Sequence, residues 1–415
     1  MRPKDKIVFF CNGFIYFALI AIPFVASFSS ALVNIFIGFM ISAYFTKKVL
    51  ERDFLPPRTV VNMPFLFLIF FSFISFINSV SLSASMGGIG KLVKYGFLLI
   101  IFADELKDSR HLKRIITAII SGLYLASLDA IHQLYFGYDF FRHKPYDFAI
   151  GLPRLKAAFP HTNIFAVFLA LLLPICASLA LYYLKGKRKL LLSLLAALAA
   201  YCLFFTFSRG AIVGFLAAVL FMGVLKRDKL IFLLLIITLV VGPFIIPKSI
   251  HHWVKSRDSL WEVLLDKERI NIYKTSLNMI KAHPFIGVGV NTYCLNYQKY
   301  KIKETSGFTG NAQYYAHNIY LHMAGEIGLL GLAVFLWLLF VLFKKWFLFY
   351  KRKDITDFLK ISSLGIVAGI IAFLINGLTE TNLYYSKVAT LFWFQVSLLL
   401  GIFNLKKERA NGEKG

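Results

Sequence analysis

The sequence predicts an all-α fold, a polytopic helical membrane protein of about twelve transmembrane helices with one large, partly helical loop on the non-cytoplasmic side. Three observations carry this. Hydrophobic residues make up 58% of the 415 residues and charged residues only 16%, with a mean hydropathy of +0.69, whereas soluble domains are nearer half apolar and a quarter charged. The apolar residues fall in runs of 18 or more, which a bilayer accommodates and a water-soluble core does not. The basic residues cluster between those runs and alternate with charge-poor connections.

The apolar windows place spans at 7–26, 29–45, 63–80, 92–103, 115–135, 164–184, 190–207, 211–225, 230–247, 318–343, 359–377 and 388–404. With the N-terminus in the cytoplasm, the cytoplasmic segments carry Lys47-Lys48, Lys113-Arg114, Lys185 to Lys189, Lys226-Arg227, Lys344-Lys345, Lys351 to Lys353 and Lys406-Lys407. The opposite short connections, 27–29, 81–90 and 208–210, hold only Arg209. A count of twelve puts every basic cluster on one side and both termini in the cytoplasm; an error of one span would put half of the clusters on the wrong face. The chain then divides into residues 1–247 (spans one to nine), 248–316 (the large outer loop) and 317–415 (spans ten to twelve and a tail). The first apolar run lacks a following cleavage site and reads as a retained span.

A net charge of +25 raises nucleic acid as a partner, but the pattern is that of topology signals, so no nucleic-acid partner is expected. Cys11, Cys176 and Cys202 lie in apolar runs and only Cys294 in a long polar loop, which gives no disulfide framework. Phosphate-loop, dinucleotide-binding and zinc-helix motifs are missing, and the adjacent His251-His252 pair supports a metal site only weakly.

The chemistry-bearing residues gather on the outer side. Residues 267–282 place Ile270, Tyr273, Leu277 and Ile280 at helical spacing, an amphipathic helix expected to lie along the membrane surface with Arg269 in its first turn. His283-Pro284 ends it and Gly287-Val288-Gly289 turns after it. His317 stands where the loop enters span ten; a helix N-terminus disfavours imidazolium, and a neutral imidazole there suits a general base, although a lone interfacial histidine is commonly structural. Gly325, Gly328 and Gly331 read as a small-residue face for a neighbouring helix. Glu326, inside the membrane, must be a functional group or the buried partner of a basic residue. Arg209, between two long apolar runs, either snorkels to lipid phosphates or holds its guanidinium at fixed depth for phosphate oxygens. Arg154 and Lys156 suit an anionic head group or are ordinary interfacial charges; Asn163 reads as the cap of span six, Asp129 with His132 as a structural pair, and Glu380 as an outer carboxylate of open role.

These residues resemble the O-antigen ligase and polymerase superfamily of bacterial envelope glycosyltransferases. His317-Asn318, nine residues, then Gly328-Leu329-Leu330-Gly331 has the spacing of its ligase members. Ser208-Arg209-Gly210 looks like its arginine-bearing turn, and Arg269 leading to His283-Pro284-Phe285-Ile286-Gly287-Val288-Gly289 looks like the start of its large periplasmic loop. The lead-in Phe159 to Asn163 is similar with less specificity, and the likeness spans roughly 150–380. The resemblance implies a metal-independent, cofactor-free, inverting glycosyl transfer at the periplasmic face of the inner membrane. The donor would be an undecaprenyl-diphosphate-linked glycan and the acceptor lipid A-core. His317 would be the base and Arg209 and Arg269 the diphosphate ligands, with Asn318, Arg154, Glu326 and Glu380 as possible supporting residues. An O-antigen polymerase or a protein O-oligosaccharyltransferase would share the donor and differ in acceptor. A lipid-linked glycan transporter predicts ionisable groups at mid-membrane and substantial loops on both sides, and a scaffold leaves the motif spacing unexplained.

Overall fold

The computed structural model describes residues 2–149, 151–233, 236–237, 267–302 and 314–405. The membrane helices are α1 (Pro3–Val25), α2 (Ser30–Glu51), α3 (Asn62–Ile74), α4 (Leu82–Glu105), α5 (Ser109–Phe136), α6 (Thr162–Tyr182), α7 (Gly186–Phe204) and α8 (Arg209–Lys226). After the large loop, which carries α9 (Lys267–Ala282) and α10 (Tyr293–Tyr300), come α11 (Ile319–Lys351), α12 (Asp357–Asn376) and α13 (Ser386–Asn404). Among the described residues nine helices are long and apolar enough to cross a bilayer. The two others at expected spans are α7, whose first turn carries Lys187, Arg188 and Lys189, and the shorter α3, extended by a 3-10 turn over Ser75–Asn78. The expected ninth span, 230–247, falls largely outside the described residues, as do His251 and His252. The fold is the all-α membrane bundle that hydropathy predicts, with, among the described residues, one short hairpin of β1 (Asp147–Ala149) and β2 (Leu152–Arg154).

Bilayer contact explains the surface. Phe9 and Phe10 of α1 are each more than two-thirds exposed, a cost in water that vanishes against acyl chains, which are themselves apolar. The interior is built by close approach of α6, α8 and α12. A Cβ on Gly369 would lie 2.1 Å from the Leu171 carbonyl oxygen, one on Gly365 2.3 Å from Ser178 Oγ, and one on Gly214 2.4 Å from the Ala372 carbonyl oxygen. Small residues at these crossings let backbones meet where no hydrophobic effect drives helices together. The packing matters for function because the N-termini of α6 and α8 and the C-terminus of α12 are thereby held side by side.

Three expectations need correction. The connection 81–90 is not a loop: α4 begins at Leu82. Its Ser-Gly-rich start lowers hydropathy because it receives another chain segment; Ser85 Oγ donates to the Val290 carbonyl at 3.0 Å, and a Cβ on Gly88 would meet Asn291 Cβ at 3.0 Å. The glycines of α11 are not one helix-packing stripe: a Cβ on Gly325 would meet Met279 of α9 at 3.2 Å, but Gly331 faces Ile327 of its own helix. Gly328, at φ 74° and ψ 176°, breaks the helix, and the interrupted backbone is satisfied by the turn after α9: Val288 N–H donates to the Gly325 carbonyl at 2.9 Å, Gly289 N–H to that of Glu326 at 3.0 Å, and Leu329 N–H to that of Pro284 at 2.8 Å. The inward face of α9 is Ile272, Thr275, Ser276, Met279 and Ile280; of the expected face Ile280 is buried, Ile270 and Tyr273 are half-buried and Leu277 is exposed. The apolar face is thus rotated from the expected one, because Thr275 and Ser276 bury by bonding their hydroxyls to the carbonyls of Asn271 and Ile272.

Candidate functional site

The loop between α12 and α13 carries Glu380, and three other elements converge on it. Its side chain is 4% exposed. Arg269, from the first turn of α9, donates through Nη2 to Glu380 Oε1 at 2.7 Å and through Nη1 to the Thr379 carbonyl at 2.8 Å. Asn163, from the first turn of α6, donates through Nδ2 to the same Oε1 at 2.7 Å. His317 Nδ1 lies 3.3 Å from Glu380 Oε2. The carboxylate therefore joins residues from opposite ends of the sequence, 217 positions apart in the case of Asn163.

Arg154 adds a further layer. Its Nε donates to the Thr206 carbonyl at 2.9 Å and its Nη2 to Asn163 Oδ1 at 3.1 Å. The β-hairpin pairs it with Asp147, which bonds Lys156, and Thr162 Oγ1 at 2.9 Å. Burial lowers the proton affinity of Arg154, Asp147 and Glu380 raise it, and Arg209 and Arg269 push it down again, so that it sits below the usual arginine range. All four of those groups thus act on Arg154 through space. Arg209 opens α8 directly after its N-cap Ser208, which follows Phe207 in left-handed backbone at φ 50°. Its neighbour Gly210 abuts the Glu380 loop so closely that a Cβ would fall 2.0 Å from Thr379 Oγ1. The three arginines outnumber Glu380 and Asp147, a surplus of positive charge suited to an anionic ligand.

Burial alone would raise the Glu380 pKa, but the His317 hydrogen bond and the Arg269 charge override it and hold the carboxyl below its ordinary range. It is therefore an acceptor for all three donors.

His317 is not itself the cap of α11. Asn318 caps the helix, its Oδ1 accepting from Tyr320 and Leu321 N–H at 2.9 and 3.0 Å and its Nδ2 donating to the Leu378 carbonyl at 3.0 Å. His317 precedes it in left-handed backbone, φ 46°. That conformation is uncommon for a residue with a Cβ and marks a constrained position. The Tyr273 hydroxyl, within 3.1 Å of the His317 carbonyl and 3.0 Å of that of Leu378, ties α9 to the same turn.

Several expectations for individual residues change. Asn163 is a ligand of Glu380 and not a helix cap; the cap of α6 is His161. Asp129 and His132 do not bond each other: Asp129 accepts from Phe140 N–H at 2.7 Å and His132 Nδ1 donates to the Tyr138 carbonyl at 3.0 Å, each latching the loop after α5. Glu326 is a buried partner, 3.3 Å from His322 Nε2. The signal for Glu380 in the sequence was weak, since an isolated acid between two apolar runs has no motif around it.

Fold and cluster together define a polytopic membrane protein with an arginine-rich, histidine-bearing site at one end of its helical bundle. Residues 194–336 match the family model described as O-Antigen ligase, a similarity that supports the O-antigen ligase superfamily. The matched segment holds Arg209, Arg269, His317 and Gly328, whereas Arg154, Asn163 and Glu380 lie outside it. No curated protein matches the chain.

Proposed function

We propose that the protein is an O-antigen ligase, moving a glycan from undecaprenyl diphosphate to a sugar of lipid A-core at the periplasmic face of the inner membrane, with both termini cytoplasmic. The observation that carries this reading is the bridge of Glu380 between the His317 imidazole and the Arg269 guanidinium, beside Arg154, on which the charge of Arg209 also acts.

Glu380, kept ionised, accepts a hydrogen bond from His317 Nδ1–H, which fixes the tautomer that leaves the lone pair on Nε2. The acceptor hydroxyl gives its proton to Nε2 as its oxygen bonds to the anomeric carbon of the donor sugar. The bond from that carbon to the diphosphate oxygen breaks on the opposite face, its electron pair leaves with the diphosphate, and the anomeric centre inverts. Contacts to Thr379 and Glu380 use two of the five N–H donors of Arg269. The remaining donors, with those of Arg209, bind phosphate oxygens and stabilise the charge that develops on departure. The guanidinium groups of Arg209 and Arg269 take the charge-stabilising role a metal would otherwise fill, and cleavage of the activated phosphoester drives transfer without a soluble energy source.

The test is reconstitution of the purified protein with lipid-linked glycan and three acceptors: core lipid, a glycan repeat, and a pilin-like protein. Transfer to core lipid, abolished by His317→Ala and Arg209→Ala and unaffected by a chelator, is the expected result. Full activity of His317→Ala would remove the base assignment, and preferential use of the glycan repeat or the protein would make the enzyme a polymerase or a protein glycosyltransferase.

A further inference from the structure

We propose that Glu326 is a positioning residue, which holds Tyr384 so that the loop after α12 presents Glu380 to His317; this rests on the role given to Glu380 above. Glu326 lies nine residues after His317, about 13 Å along α11 at 1.5 Å per residue, too far to share its chemistry directly. It is 1% exposed, and its ion-pair partner among the described residues, His322, is charged only if protonated. Its donors come from three elements. Tyr293 N–H, at the start of α10, reaches Oε1 at 3.0 Å; His322, on its own helix, reaches Oε1 at 3.3 Å; and the Tyr384 hydroxyl reaches Oε2 at 2.8 Å. The Ala316 N–H lies 3.4 Å from His322 Nδ1 and can only donate, so the ring proton sits on Nε2 and points at the carboxylate.

Rings close the cluster. His322 stacks on Tyr293 at 4.3 Å and packs against Tyr384 at 3.7 Å. Burial and the Glu326 charge hold the Tyr384 phenol well above its usual pKa, which keeps it a donor. Tyr384 is four residues beyond Glu380, and between them Asn382 Nδ2 bonds Asn376 Oδ1 at 2.7 Å. The short Glu380 loop is thus fixed at its α12 end by Asn376 and at its far end by Glu326. The same carboxylate anchors α10 and the helix that begins beside His317, so one group sets the register of base and carboxylate. Its backbone carbonyl contributes too, accepting from Gly289 N–H at 3.0 Å. A membrane-buried acid is costly unless fully bonded, and a strut between the two halves of the site is what this one provides.

The experiment measures kcat and the donor KM in the reconstituted transfer assay for Glu326→Ala, Glu326→Gln and Tyr384→Phe, each in the native and the Glu380→Gln background, with thermal unfolding of each variant alongside. Tyr384→Phe keeps the ring and serves if Glu326→Ala does not accumulate. Expected are a roughly 10- to 100-fold fall in kcat for Glu326→Ala and Tyr384→Phe, little change in KM, and substantial rescue by Glu326→Gln, whose amide can still accept from Tyr293 and donate to the Tyr384 oxygen. In the Glu380→Gln background the same substitutions should cause no further loss. Equal losses in both backgrounds, or native kcat in Tyr384→Phe, would overturn the positioning role. Native kcat in Glu380→Gln alone would instead overturn the reading on which it stands.

Discussion

Glu380→Gln is the sharpest perturbation because the surrounding donors dictate how the amide must sit. Arg269 Nη2 and Asn163 Nδ2 both point at the Oε1 position, each at 2.7 Å. Two donors there require the amide oxygen of glutamine, and the NH2 group is then forced to the Oε2 position, 3.3 Å from His317 Nδ1. An NH2 group donates, so Nδ1 must carry the lone pair and the ring proton moves to Nε2, the wrong tautomer for a base on that nitrogen. Loss of a correctly poised general base costs about 10²–10⁴-fold in rate, equivalent to about 3–5 kcal/mol of barrier. The stability effect is smaller: Arg269 exchanges a charged acceptor for a neutral one, worth about 1–3 kcal/mol at a buried site. The variant should therefore insert and unfold cooperatively while its kcat in the core-lipid transfer assay falls by at least two orders of magnitude. A kcat within threefold of the native value, from protein of normal thermal stability, would refute the tautomer argument and with it the proton-accepting role of His317.

Other consequences can be checked with the same material. Arg269→Lys should lower kcat/KM by about 10²-fold, since a single ammonium cannot bond Thr379 and Glu380 while presenting a planar fork to phosphate. Gly328→Ala should cost upwards of about 1–3 kcal/mol and depress the melting temperature or prevent accumulation, because its backbone region is essentially restricted to glycine and the new Cβ would lie 2.0 Å from the Phe285 carbonyl oxygen. The Glu380 carboxyl is held below its ordinary range, so its stabilisation is complete above that range and lost as pH falls through the lowered value. The difference in melting temperature between the native protein and Glu380→Gln should accordingly stay constant near neutrality and disappear only on strong acidification. Leu277→Cys, exposed on α9, should react with a membrane-impermeant maleimide from outside the cytoplasmic membrane; labelling only from the cytoplasmic side would reverse the topology.

The legible parts of this protein are those where one local property decides the outcome. Apolar length alone sets the membrane helices, and Arg209, Arg269 and His317 are recognisable because each sits in a short motif whose spacing is fixed by a turn or a helix start. What stayed hidden depends on distant partners. The segment 81–90 reads as a loop because serine and glycine depress hydropathy, yet they are small in order to admit Val290 and Asn291. Gly328 and Gly331 read as packing residues at helical spacing; only the return of Pro284–Gly289 reveals that Gly328 breaks the helix and hands its neighbours' backbone groups to another segment. Glu380 and Asn163 were hardest to see, since a carboxylate acquires meaning from what donates to it and those donors are contributed by α6, α9 and the lead-in to α11. The matched family segment ends before Glu380, so the residue that joins the recognised arginine to the recognised histidine lies beyond the stretch in which either is recognised. The close packing of α6, α8 and α12 through Gly214, Gly365 and Gly369 supplies the missing link. It holds the first turn of α6 and the last turn of α12 together, and with them the amide and the carboxylate on which His317 and Arg269 converge.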